Sequence, residues 1–491
     1  MLSLVLLIAV RASWRTRFER GLAVNGAQPV LLLGTVAESA EALQALKGSA
    51  RWRPVAILSP MAAERGRVLQ RVPVAGGFDD IETVARRTGA AAAIVASQAG
   101  SAERRELLLR YPQGGVTLLT LPRTDDWLKA EANAPRKIEL EDLLGRSPVQ
   151  LDVAGLADML SGQTVLVTGA GGSIGSELCR QIARFGATRL VCVDVSEFNI
   201  YQLEQELRAS HPQLRGVYYT ANVRDEDRLL AIAQRHRPAV VFHAAAYKHV
   251  PLMEQLNEVE ALRTNVVGTL HAARVAGLCG ASRFVMVSTD KAVNPTNVMG
   301  ASKRLAELTV QAQAAIHPNT QYVSVRFGNV LGSSGSVVPL FTAQIAKGGP
   351  VTVTHPDIVR YFMTIPEAAQ LVLQAALMGR TGQIFVLDMG EPVKIVELAR
   401  LLIRLSGKTE QEVPISFTGL RPGEKLFEEL LADDETTQPT PHPKLRVARG
   451  SGQLQMDLRA IERWVQQAGP APDEGVVRDW LRGYVPEYTG R

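Results

Sequence analysis

The sequence has few cysteines and histidines, and those it has do not cluster. The three cysteines, Cys179, Cys192 and Cys279, form no Cys-x-x-Cys pair, so neither a disulfide framework nor a zinc knuckle is expected. The eight histidines are dispersed, and even His243 and His249 lack a third ligand at metal-site spacing. We therefore predict no bound metal and a reducing, cytoplasmic location.

The sequence also lacks a large excess of one charge and a hydrophobic run long enough to cross a membrane. Lys and Arg number 54 and Asp and Glu 49, and the two signs are interleaved, which argues against a nucleic-acid surface. The apolar residues 1–10 fall short of the roughly 20 that span a bilayer, and arginines follow them where a signal peptide would have a cleavage site. Residues 1–26 are thus either a frayed terminus or the remnant of a membrane anchor at the cytoplasmic face of the inner membrane.

What the sequence does contain is two stretches in which strand-like and helix-like segments alternate, and its 491 residues suffice for two main domains. The first, 27–125, has only Gly34 in its first turn, where a dinucleotide fingerprint has three glycines, and predicts a degenerate Rossmann-like domain of structural or regulatory role. A linker is expected at 126–160. The second stretch, 161–330, predicts an α/β fold with a doubly wound parallel sheet, and 331–491 a smaller substrate-binding lobe and tail, with the chain crossing between these two.

A glycine-rich turn opens the second domain. Residues 168–175 read Thr-Gly-Ala-Gly-Gly-Ser-Ile-Gly between a predicted strand and a predicted helix, where glycines let backbone amides approach a pyrophosphate. Asp194 ends the next predicted strand, where a carboxylate accepts hydrogen bonds from ribose hydroxyls, and no Arg follows it to pair with a 2′-phosphate, so NAD is predicted. The predicted cofactor-binding residues are Gly169, Gly171, Gly172, Ser173, Ile174, Gly175, Asp194, Asn222, Val223, Ala244, Ala245, Ala246 and Lys303.

The candidate active site is the polar segment 287–303, Val-Ser-Thr-Asp-Lys-Ala-Val-Asn-Pro-Thr-Asn-Val-Met-Gly-Ala-Ser-Lys, which follows a predicted strand. Its spacing is that of a Tyr-x-x-x-Lys dehydrogenase site, but Met299 stands four residues before Lys303 and has no proton to give or take. A methionine at a helix start is also ordinary core filling. Asp290 and Lys291 are adjacent and suit acid and base roles if burial and mutual charge shift their pKa values toward neutrality.

These motifs, with Ala-Ala-Ala-Tyr-Lys-His-Val-Pro-Leu-Met-Glu at 244–254, Arg-Phe-Gly-Asn-Val at 326–330 and Arg-Pro-Gly-Glu-Lys at 421–425, resemble the extended short-chain dehydrogenase/reductase superfamily. More closely, they resemble the CapD-like long-form bacterial UDP-N-acetylglucosamine 4,6-dehydratases, polysaccharide biosynthesis proteins that supply capsule, O-antigen and protein-glycan synthesis. The resemblance covers about residues 140–450. Long members of that family also carry a membrane-anchored N-terminal region.

The resemblance implies a reaction and a role for each candidate. Such an enzyme oxidises the sugar at C4 by hydride transfer to NAD, eliminates water across C5 and C6, and returns the hydride to C6, with retention at C5. It implies that Asp290 is the acid, Lys291 the base, Thr289 a hydrogen-bond partner of the C4 hydroxyl, and Lys303 the group that holds the nicotinamide ribose. Most relatives carry Tyr at the position of Met299, whereas the long dehydratases carry Met, so Met299 joins the catalytic candidates. The base for the C4 hydroxyl stays open among Asp290, Thr289 with water, and a water relay.

A uridine diphosphate needs cations or forked donors, which are expected at the strand ends and in the C-terminal lobe. The predicted substrate-binding residues are Lys248, His249, Asn265, Asn329, Arg360, Arg421 and Lys425. Expected partners are UDP-N-acetylglucosamine, further copies of the chain in a homo-oligomer and the inner membrane through the N-terminus, but no nucleic acid. Two alternatives are a nucleotide-sugar 4-epimerase, which needs no Asp-Lys pair and normally keeps the tyrosine, and a cofactor-sensing scaffold without catalysis.

Overall fold

The computed structural model describes residues 27–97, 104, 107, 116–121, 135–137, 149–429, 437–448, 456–469 and 473–490. The chain divides into two compact units, Met1–Ser147 with Gly407–Thr409, and Pro148–Ser406 with Glu410–Arg491. The predicted terminal segment 1–26 and most of the predicted linker lie outside the described residues. Within the described ranges, no helix combines the length and apolar character needed to span a bilayer.

The first unit contains a mainly parallel sheet of seven strands. Its elements are β1 (Gln28–Leu33), α1 (Val36–Ala45), β2 (Trp52–Leu58), β3 (Val68–Leu69), β4 (Val72–Gly76), α2 (Ile81–Thr88), β5 (Ala92–Val95), β6 (Thr117–Thr120) and β7 (Arg136–Lys137). The strand order is β3-β4-β2-β1-β5-β6-β7, and β2 and β5 run parallel to the central β1. The continuous apolar run Val30–Leu33 is fully buried, as expected for a central parallel strand.

The N-terminus of α1 is occupied by the protein's own carboxylates. Thr35 caps the helix in a capping box with Glu38. Glu64 Oε2 accepts a hydrogen bond from the Val36 N–H at 2.9 Å and another from Ser59 Oγ at 2.6 Å. A phosphate would bind at this end of the helix in a nucleotide-binding unit. The Glu64 contact is therefore a second physical reason, besides the single Gly34, to expect no pyrophosphate at this turn.

The second unit carries a sheet of nine strands. Its elements are α3 (Val153–Leu160), β8 (Thr164–Thr168), α4 (Ser173–Arg184), β9 (Arg189–Asp194), α5 (Glu197–Ser210), β10 (Arg215–Thr220), α6 (Glu226–His236), β11 (Val240–His243), α7 (Val250–Met253), α8 (Glu258–Ala261), α9 (Gly268–Leu278), β12 (Arg283–Val287), α10 (Val298–Ile316), β13 (Gln321–Arg326), β14 (Asn329–Val330), α11 (Val337–Ala346), β15 (Val351–Val353), β16 (Val359–Arg360), β17 (Phe362–Met363), α12 (Ile365–Met378), β18 (Gln383–Leu387), β19 (Val393–Lys394), α13 (Ile395–Leu405), β20 (Ile415–Phe417), β21 (Thr437–Pro439), β22 (Leu445–Ala448), α14 (Leu458–Gln467) and α15 (Glu474–Tyr484).

The strand order of this sheet is β10-β9-β8-β11-β12-β13-β18-β22-β21. The first seven strands in that order are parallel, and β22 and β21 add an antiparallel edge. The chain proceeds outward from β8 in one direction through β9 and β10, and in the other from β11 through β12 and β13. This confirms the predicted α/β, doubly wound fold, and it places the ligand crevice at the carboxyl ends of β8 and β11, where the order reverses.

Helices cover both faces of the sheet. Val165 and Val167 of β8 pack in one buried cluster with residues of α3, α4, α5 and α12. Leu166, which points to the other face, packs in a second cluster with residues of α6, α9 and α10. The alternation follows from the two-residue period of a strand, and a strand that is buried on both faces needs apolar residues at every position.

One boundary differs from that expected from the sequence, and the chain crossing expected between the last two parts corresponds to particular strands. Part of the predicted linker 126–160 is α3, whose Leu156 and Leu160 are fully buried in the core of the second unit. Part of the predicted lobe 331–491 returns to the large sheet, because β18 pairs with β13 and β22 pairs with β18. The remaining short strand pairs, β14–β17, β15–β20 and β16–β19, lie outside that sheet. Frequent glycines and prolines after residue 330 divide the sequence into short segments, and for this reason the pattern did not predict which strands pair with the large sheet.

Candidate active site

The glycine-rich turn between β8 and α4 has backbone so close that side chains are excluded. Gly169 has φ +68°, and a Cβ on it would lie 2.5 Å from the Ala245 nitrogen. A Cβ on Gly175 would lie 2.0 Å from the Gly169 carbonyl oxygen. Gly172, the N-cap of α4, offers no capping side chain to the first amides of the helix. The turn therefore fits a pyrophosphate held by backbone N–H groups at a helix N-terminus.

Asp194, at the end of β9, is fixed beside this turn. Its Oδ2 accepts a hydrogen bond from the Gly171 N–H at 2.9 Å, and its Oδ1 accepts one from the Ser196 N–H at 2.8 Å. A Cβ on Gly171 would lie 2.5 Å from Asn199 Cβ, so glycine is required there as well. Each carboxylate oxygen keeps a second lone pair. This arrangement fits the hydroxyls of an adenosine ribose.

Further predicted cofactor residues line the neighbouring strand ends. Asn222 follows β10 and accepts a hydrogen bond from the Arg224 N–H at 3.0 Å, and Val223 is buried. The Ala244–Ala245 backbone packs against Gly169, and Ala246 follows it. On α4, Ile174 packs against the core. Ser173 Oγ accepts a hydrogen bond from the Ser334 N–H at 3.1 Å, which connects the glycine-rich turn to the loop after β14.

Arg224 is a contributor that the sequence did not reveal. Its Nε donates to Thr264 Oγ1 at 2.8 Å, and its NH1 lies 2.6 Å from Glu260 Oε2. Its guanidinium lies 5.6 Å from the ring centroid of Tyr247, within the range of a cation–π contact. Arg224 thus braces the loop after β11 against the segment that precedes α9.

A buried histidine joins β8 and β11 at the crevice. His243 Nδ1 lies 2.7 Å from Thr168 Oγ1, and its Nε2 lies 2.9 Å from Thr269 Oγ1. Burial and, after it, the positive charge of Lys303 lower the pKa of His243 to about 3. The imidazole is therefore neutral at physiological pH and serves as a structural hydrogen-bond bridge.

Lys303 and Met299 both belong to α10 but have different surroundings. Lys303 is buried, and its Nζ donates to the Val287 carbonyl oxygen at 2.8 Å. Burial lowers the pKa of Lys303 to about 8, against the opposing effect of Glu307. The Met299 side chain is 3% exposed and packs in an apolar cluster with residues such as Leu262 and Val266. In this structure Met299 is a core residue.

The Thr289-Asp290-Lys291 segment lies at the carboxyl end of β12, where Asp290–Ala292 form a short 3-10 turn. Thr289 Oγ1 donates to Asp290 Oδ1 at 2.9 Å, and Lys291 Nζ lies 3.1 Å from the same oxygen. Asp290 is buried. A Cβ on Gly300 would lie 2.2 Å from the Lys291 carbonyl oxygen, so the start of α10 packs directly on this turn. The sequence neighbours thus form a buried ion pair.

Three groups from elsewhere in the chain complete the surroundings of Lys291. Its Nζ lies 3.3 Å from Asn329 Oδ1 and 3.4 Å from Glu428 Oε1. Glu428 also lies 3.7 Å from Arg360 Nε. Burial alone would lower the pKa of Lys291, but the carboxylates of Asp290 and Glu428 outweigh it and raise that pKa above the ordinary value. The pKa of Lys291 therefore shifts away from neutrality, so the condition that was stated for its acid–base role is not met by this residue.

A second buried carboxylate supports the strand ends beneath the pair. Glu307 of α10 accepts hydrogen bonds from Ser288 Oγ and from Arg326 Nε, each at 2.7 Å. Burial would raise the pKa of Glu307, but Arg326 and further hydrogen bonds lower it below the ordinary value. Ser288 directly precedes the catalytic candidates, and Arg326 is the last residue of β13. The contacts of Glu307 with these two residues therefore fix the position of Asp290 at the end of β12.

Two of the predicted substrate residues form hydrogen bonds with other parts of the protein. Asn265 is fully buried, where it bonds both the N–H and the carbonyl of Tyr247 and donates to Ser302 Oγ. Arg360 is buried and donates to the carbonyls of Val359 and Lys425 at 2.7 and 2.8 Å. Both side chains therefore position other segments of the site.

The other candidates for substrate binding are more open. Lys248 Nζ lies 3.4 Å from Ser333 Oγ, and His249 lies over Gly335, where a Cβ would be 2.5 Å from the ring. Burial, then the charges of Lys248 and Arg421, lower the pKa of His249, which shows that these groups face one region. Arg421 is half exposed and pairs with a glutamate at 2.9 Å. Lys425 donates to a carbonyl oxygen of the loop after β12 at 2.9 Å.

A cluster away from this region has the composition of a metal site. Ligand atoms of Glu226, His271 and Glu462 lie within 4.8 Å of one another. Arg274, however, forms ion pairs with Glu226 at 2.8 Å and with Glu462 at 3.0 Å. The two carboxylates thus have a guanidinium as their counter-ion, and the cluster ties α14 to α6 and α9.

Comparisons with known proteins agree on the class of the second unit. Residues 165–450 match the family described as polysaccharide biosynthesis protein. The capsular polysaccharide biosynthesis protein CapD of Staphylococcus aureus is 48% identical over 390 residues, which are 78% of this chain and 65% of CapD, so the chain spans slightly less than two thirds of that relative. A UDP-glucose 4-epimerase of Rickettsia canadensis is 35% identical over 56% of this chain and 80% of that protein. The solved structure of Pen from Bacillus thuringiensis superposes with a TM-score of 0.55 at 28% identity, covering 63% of this chain and 99% of Pen.

Proposed function

The chain belongs to the polysaccharide biosynthesis protein family, and from this membership we propose that it is an NAD-dependent UDP-N-acetylglucosamine 4,6-dehydratase. The product is the UDP-4-keto-6-deoxy sugar, formed with retention at C5, for a bacterial surface polysaccharide or glycan. The observation that carries the proposal is the buried Asp290–Lys291 pair at the carboxyl end of β12. It lies at the same edge of the sheet as the glycine-rich turn, because β8, β11 and β12 are parallel.

An acid and a base in contact serve elimination of water. A ketone at C4 makes the C5 proton acidic, so a base must take that proton while an acid protonates the C6 hydroxyl as it leaves. Asp290 and Lys291 are 3.1 Å apart and can face adjacent carbons of one sugar. Thr289 Oγ1 donates its proton to Asp290, which leaves the Thr289 oxygen to accept a hydrogen bond from the C4 hydroxyl.

The cofactor part of the proposal is supported by the crowded glycines and by Asp194. Gly169, Gly171 and Gly175 would hold the pyrophosphate, Asp194 the adenosine ribose and Lys303 the nicotinamide ribose. When bound, NAD would supply the hydride acceptor for C4 and the hydride donor for C6. Lys303, with a pKa of about 8, carries its charge at neutral pH and can donate to a ribose hydroxyl.

The diphosphate of the substrate would meet the positive charges of Lys248 and Arg421 and the imidazole of His249, whose lowered pKa keeps it neutral at physiological pH. Lys248 and His249 follow β11, and Arg421 comes from the C-terminal segment. Three donors that approach from two segments suit a doubly charged group. The hydrogen bonds of Arg360 to backbone carbonyls support a role for it in holding the segment around Lys425 instead of the diphosphate.

A 4-epimerase is the second candidate, because a UDP-glucose 4-epimerase is among the relatives. Mass spectrometry separates the two functions. The purified 491-residue chain with NAD and UDP-N-acetylglucosamine should yield a sugar nucleotide lighter by one water, whereas epimerisation leaves the mass unchanged. In deuterated water the dehydration product should also gain deuterium at C5, because the base exchanges the proton before returning it. An unchanged substrate would reject both activities and favour the non-catalytic scaffold.

A further inference from the structure

Two hydrogen-bond acceptors and a second carboxylate surround the Lys291 amine. Its Nζ lies 3.1 Å from Asp290 Oδ1, 3.3 Å from Asn329 Oδ1 and 3.4 Å from Glu428 Oε1. Asp290 and Asn329 accept hydrogen bonds from Nζ, and the Glu428 carboxylate adds a negative charge within ion-pair distance, which favours the ammonium form. The Lys291 and Glu428 side chains are only 17% and 5% exposed, so water contributes little to their solvation. The geometry is that of a site built to hold a charged lysine.

Glu428 is itself held from a second side. Its Oε1 lies 3.7 Å from Arg360 Nε, and Arg360 donates to the Lys425 carbonyl oxygen and lies 3.5 Å from Glu424. Arg360 belongs to β16, so the segment that carries Glu424 and Glu428 is anchored to that strand. A buried carboxylate that contacts two cations is an ordered group rather than a solvated one.

We propose that Glu428 is a positioning residue for the Asp290–Lys291 pair, which holds the Lys291 ammonium in the resting site and thereby sets the pH range over which the pair works. The inference rests on the proposed dehydration. Glu428 acts through Lys291 and needs no contact with the sugar.

The proposal gives the elimination a defined starting step. The resting carboxylate and ammonium become acid and base when one proton moves from Lys291 Nζ to Asp290 Oδ1 across their hydrogen bond. The amine then takes the C5 proton, the C5–H electron pair forms the C5–C6 double bond, and the C6 hydroxyl leaves with the Asp290 proton as water. The pair is again carboxylate and ammonium. Over the whole reaction, the proton lost by the C4 hydroxyl replaces the one that leaves in water.

The charges around Lys291 give the direction of the pH effect. Asp290 faces it from its own turn, Glu428 from the segment after the 421–425 motif and Arg360 from β16, while Asn329 of β14 is neutral. Without the Glu428 charge, burial and Arg360 both disfavour the ammonium. A Glu428→Gln protein should therefore lose the Lys291 proton at lower pH.

The charge of Lys291 can be followed without substrate, by its rate of acylation with acetic anhydride in the 491-residue chain. The rate is read from peptide masses relative to the exposed Lys394. At about pH 8.5, Glu428→Gln should raise the Lys291 rate about tenfold or more, which corresponds to a pKa lowered by about one unit or more. Glu429→Gln, which removes an exposed neighbouring carboxylate, is the matched control and should leave the rate unchanged. An equal Lys291 rate in wild type and Glu428→Gln would overturn the proposal.

Turnover supplies the second measurement. In Glu428→Gln, the pH at which kcat/KM falls on the alkaline side should decrease by the same amount. The reason is that the Asp290–Lys291 pair cannot supply an acid once its only proton is lost. Glu428→Asp should restore the wild-type pH in part.

If Glu428→Gln does not fold, the acylation rate of Lys291 in the wild-type protein tests the proposal. This rate should rise about tenfold per pH unit up to about pH 9.5 without levelling, and a plateau below that pH would contradict the proposal. If wild type forms no dehydrated product, the proposed function fails while the acylation result still stands on its own.

Discussion

At the scale of single residues, the acid and base roles of Asp290 and Lys291 give the sharpest test. Asp290→Asn and Lys291→Ala should each lower kcat by about 10²- to 10⁴-fold, because each removes one proton-transfer group. Both proteins should still bind NAD, measured by titration calorimetry, since neither side chain touches the glycine-rich turn in the structure. Lys394→Ala, at an exposed lysine, is the control and should turn over normally. Normal turnover in either pair variant would contradict the assignment.

The lowered pKa of Lys303 leads us to expect that cofactor binding depends on pH. A lysine is charged below its pKa and neutral above it, and burial places this pKa at about 8 instead of the ordinary, higher value. If the ammonium holds the nicotinamide ribose, the Kd for NAD should rise as pH increases through about 8. Lys303→Met should bind NAD weakly at neutral pH and lose this dependence. A wild-type Kd that is constant from about pH 7 to pH 9.5 would argue against the role.

The residues that could be predicted from sequence share a local signal. Asp290, Lys291 and Lys303 occur in one segment, and Asp194 stands at a fixed distance after the glycine-rich turn. Glu428 had no such signal, because its pairing with Lys291 exists only after β12 and the C-terminal segment meet. The hydrogen bonds of Asn265 and Arg360 to other parts of the protein could not be predicted either, since a motif specifies residue types and not their partners.

At the scale of elements, the junction between the Asp290–Ala292 turn and α10 depends on one glycine. Gly300→Ala would place a methyl group against the Lys291 carbonyl, so α10 or the turn must shift, at about 1–3 kcal/mol. We expect turnover to fall and the melting temperature to decrease. Gly483→Ala in α15 is the matched control, because a Cβ there meets no atom within 4 Å. It should be neutral or stabilising by up to about 1 kcal/mol, and equal effects of the two changes would contradict the packing argument.

The hydrogen bonds of Glu64 at the N-terminus of α1 lead to a prediction about the local stability of the first unit. Glu64→Gln removes a negative charge from the helix N-terminus and weakens two hydrogen bonds, so it should destabilise β1 and α1 locally by about 0.5–2 kcal/mol. Hydrogen exchange of the amides in 28–45 measures this directly. Glu41→Gln, at an exposed position of the same helix, should change the exchange by less than about 0.5 kcal/mol.

The elements that matched the sequence pattern are those with a strong period or a continuous apolar run. Strands β8, β9, β11 and β12 are short apolar runs between helices, and the glycine-rich turn marks the first of them. β18 has a similar apolar run, Gln-Ile-Phe-Val-Leu, but nothing in its sequence states that it pairs with β13 rather than within a separate lobe. Pairing of distant strands is a tertiary property, and the local pattern does not encode it.

At the scale of the whole molecule, the two units have separate cores. Leu32 is fully buried in the core cluster of the first unit, whereas the proposed cofactor and catalytic residues belong to the second. Leu32→Ala should destabilise the first unit by about 2–5 kcal/mol. NAD at about 100 times its Kd should stabilise the second by about 2.7 kcal/mol. Hydrogen exchange should show the Leu32→Ala effect in β1 and its neighbouring strands and the NAD effect in peptides of the second unit, and NAD that protects no peptide of the second unit would contradict the cofactor assignment.

The antiparallel edge of the large sheet also affects how the molecule behaves at high concentration. The outermost strand there, β21, has three residues, ends in Pro439 and pairs with β22 on one side. A short edge strand with a proline offers few backbone N–H groups to an incoming strand. Among the described residues, this edge therefore offers little to strand addition from other molecules, and edge-to-edge backbone pairing of two such sheets is disfavoured there.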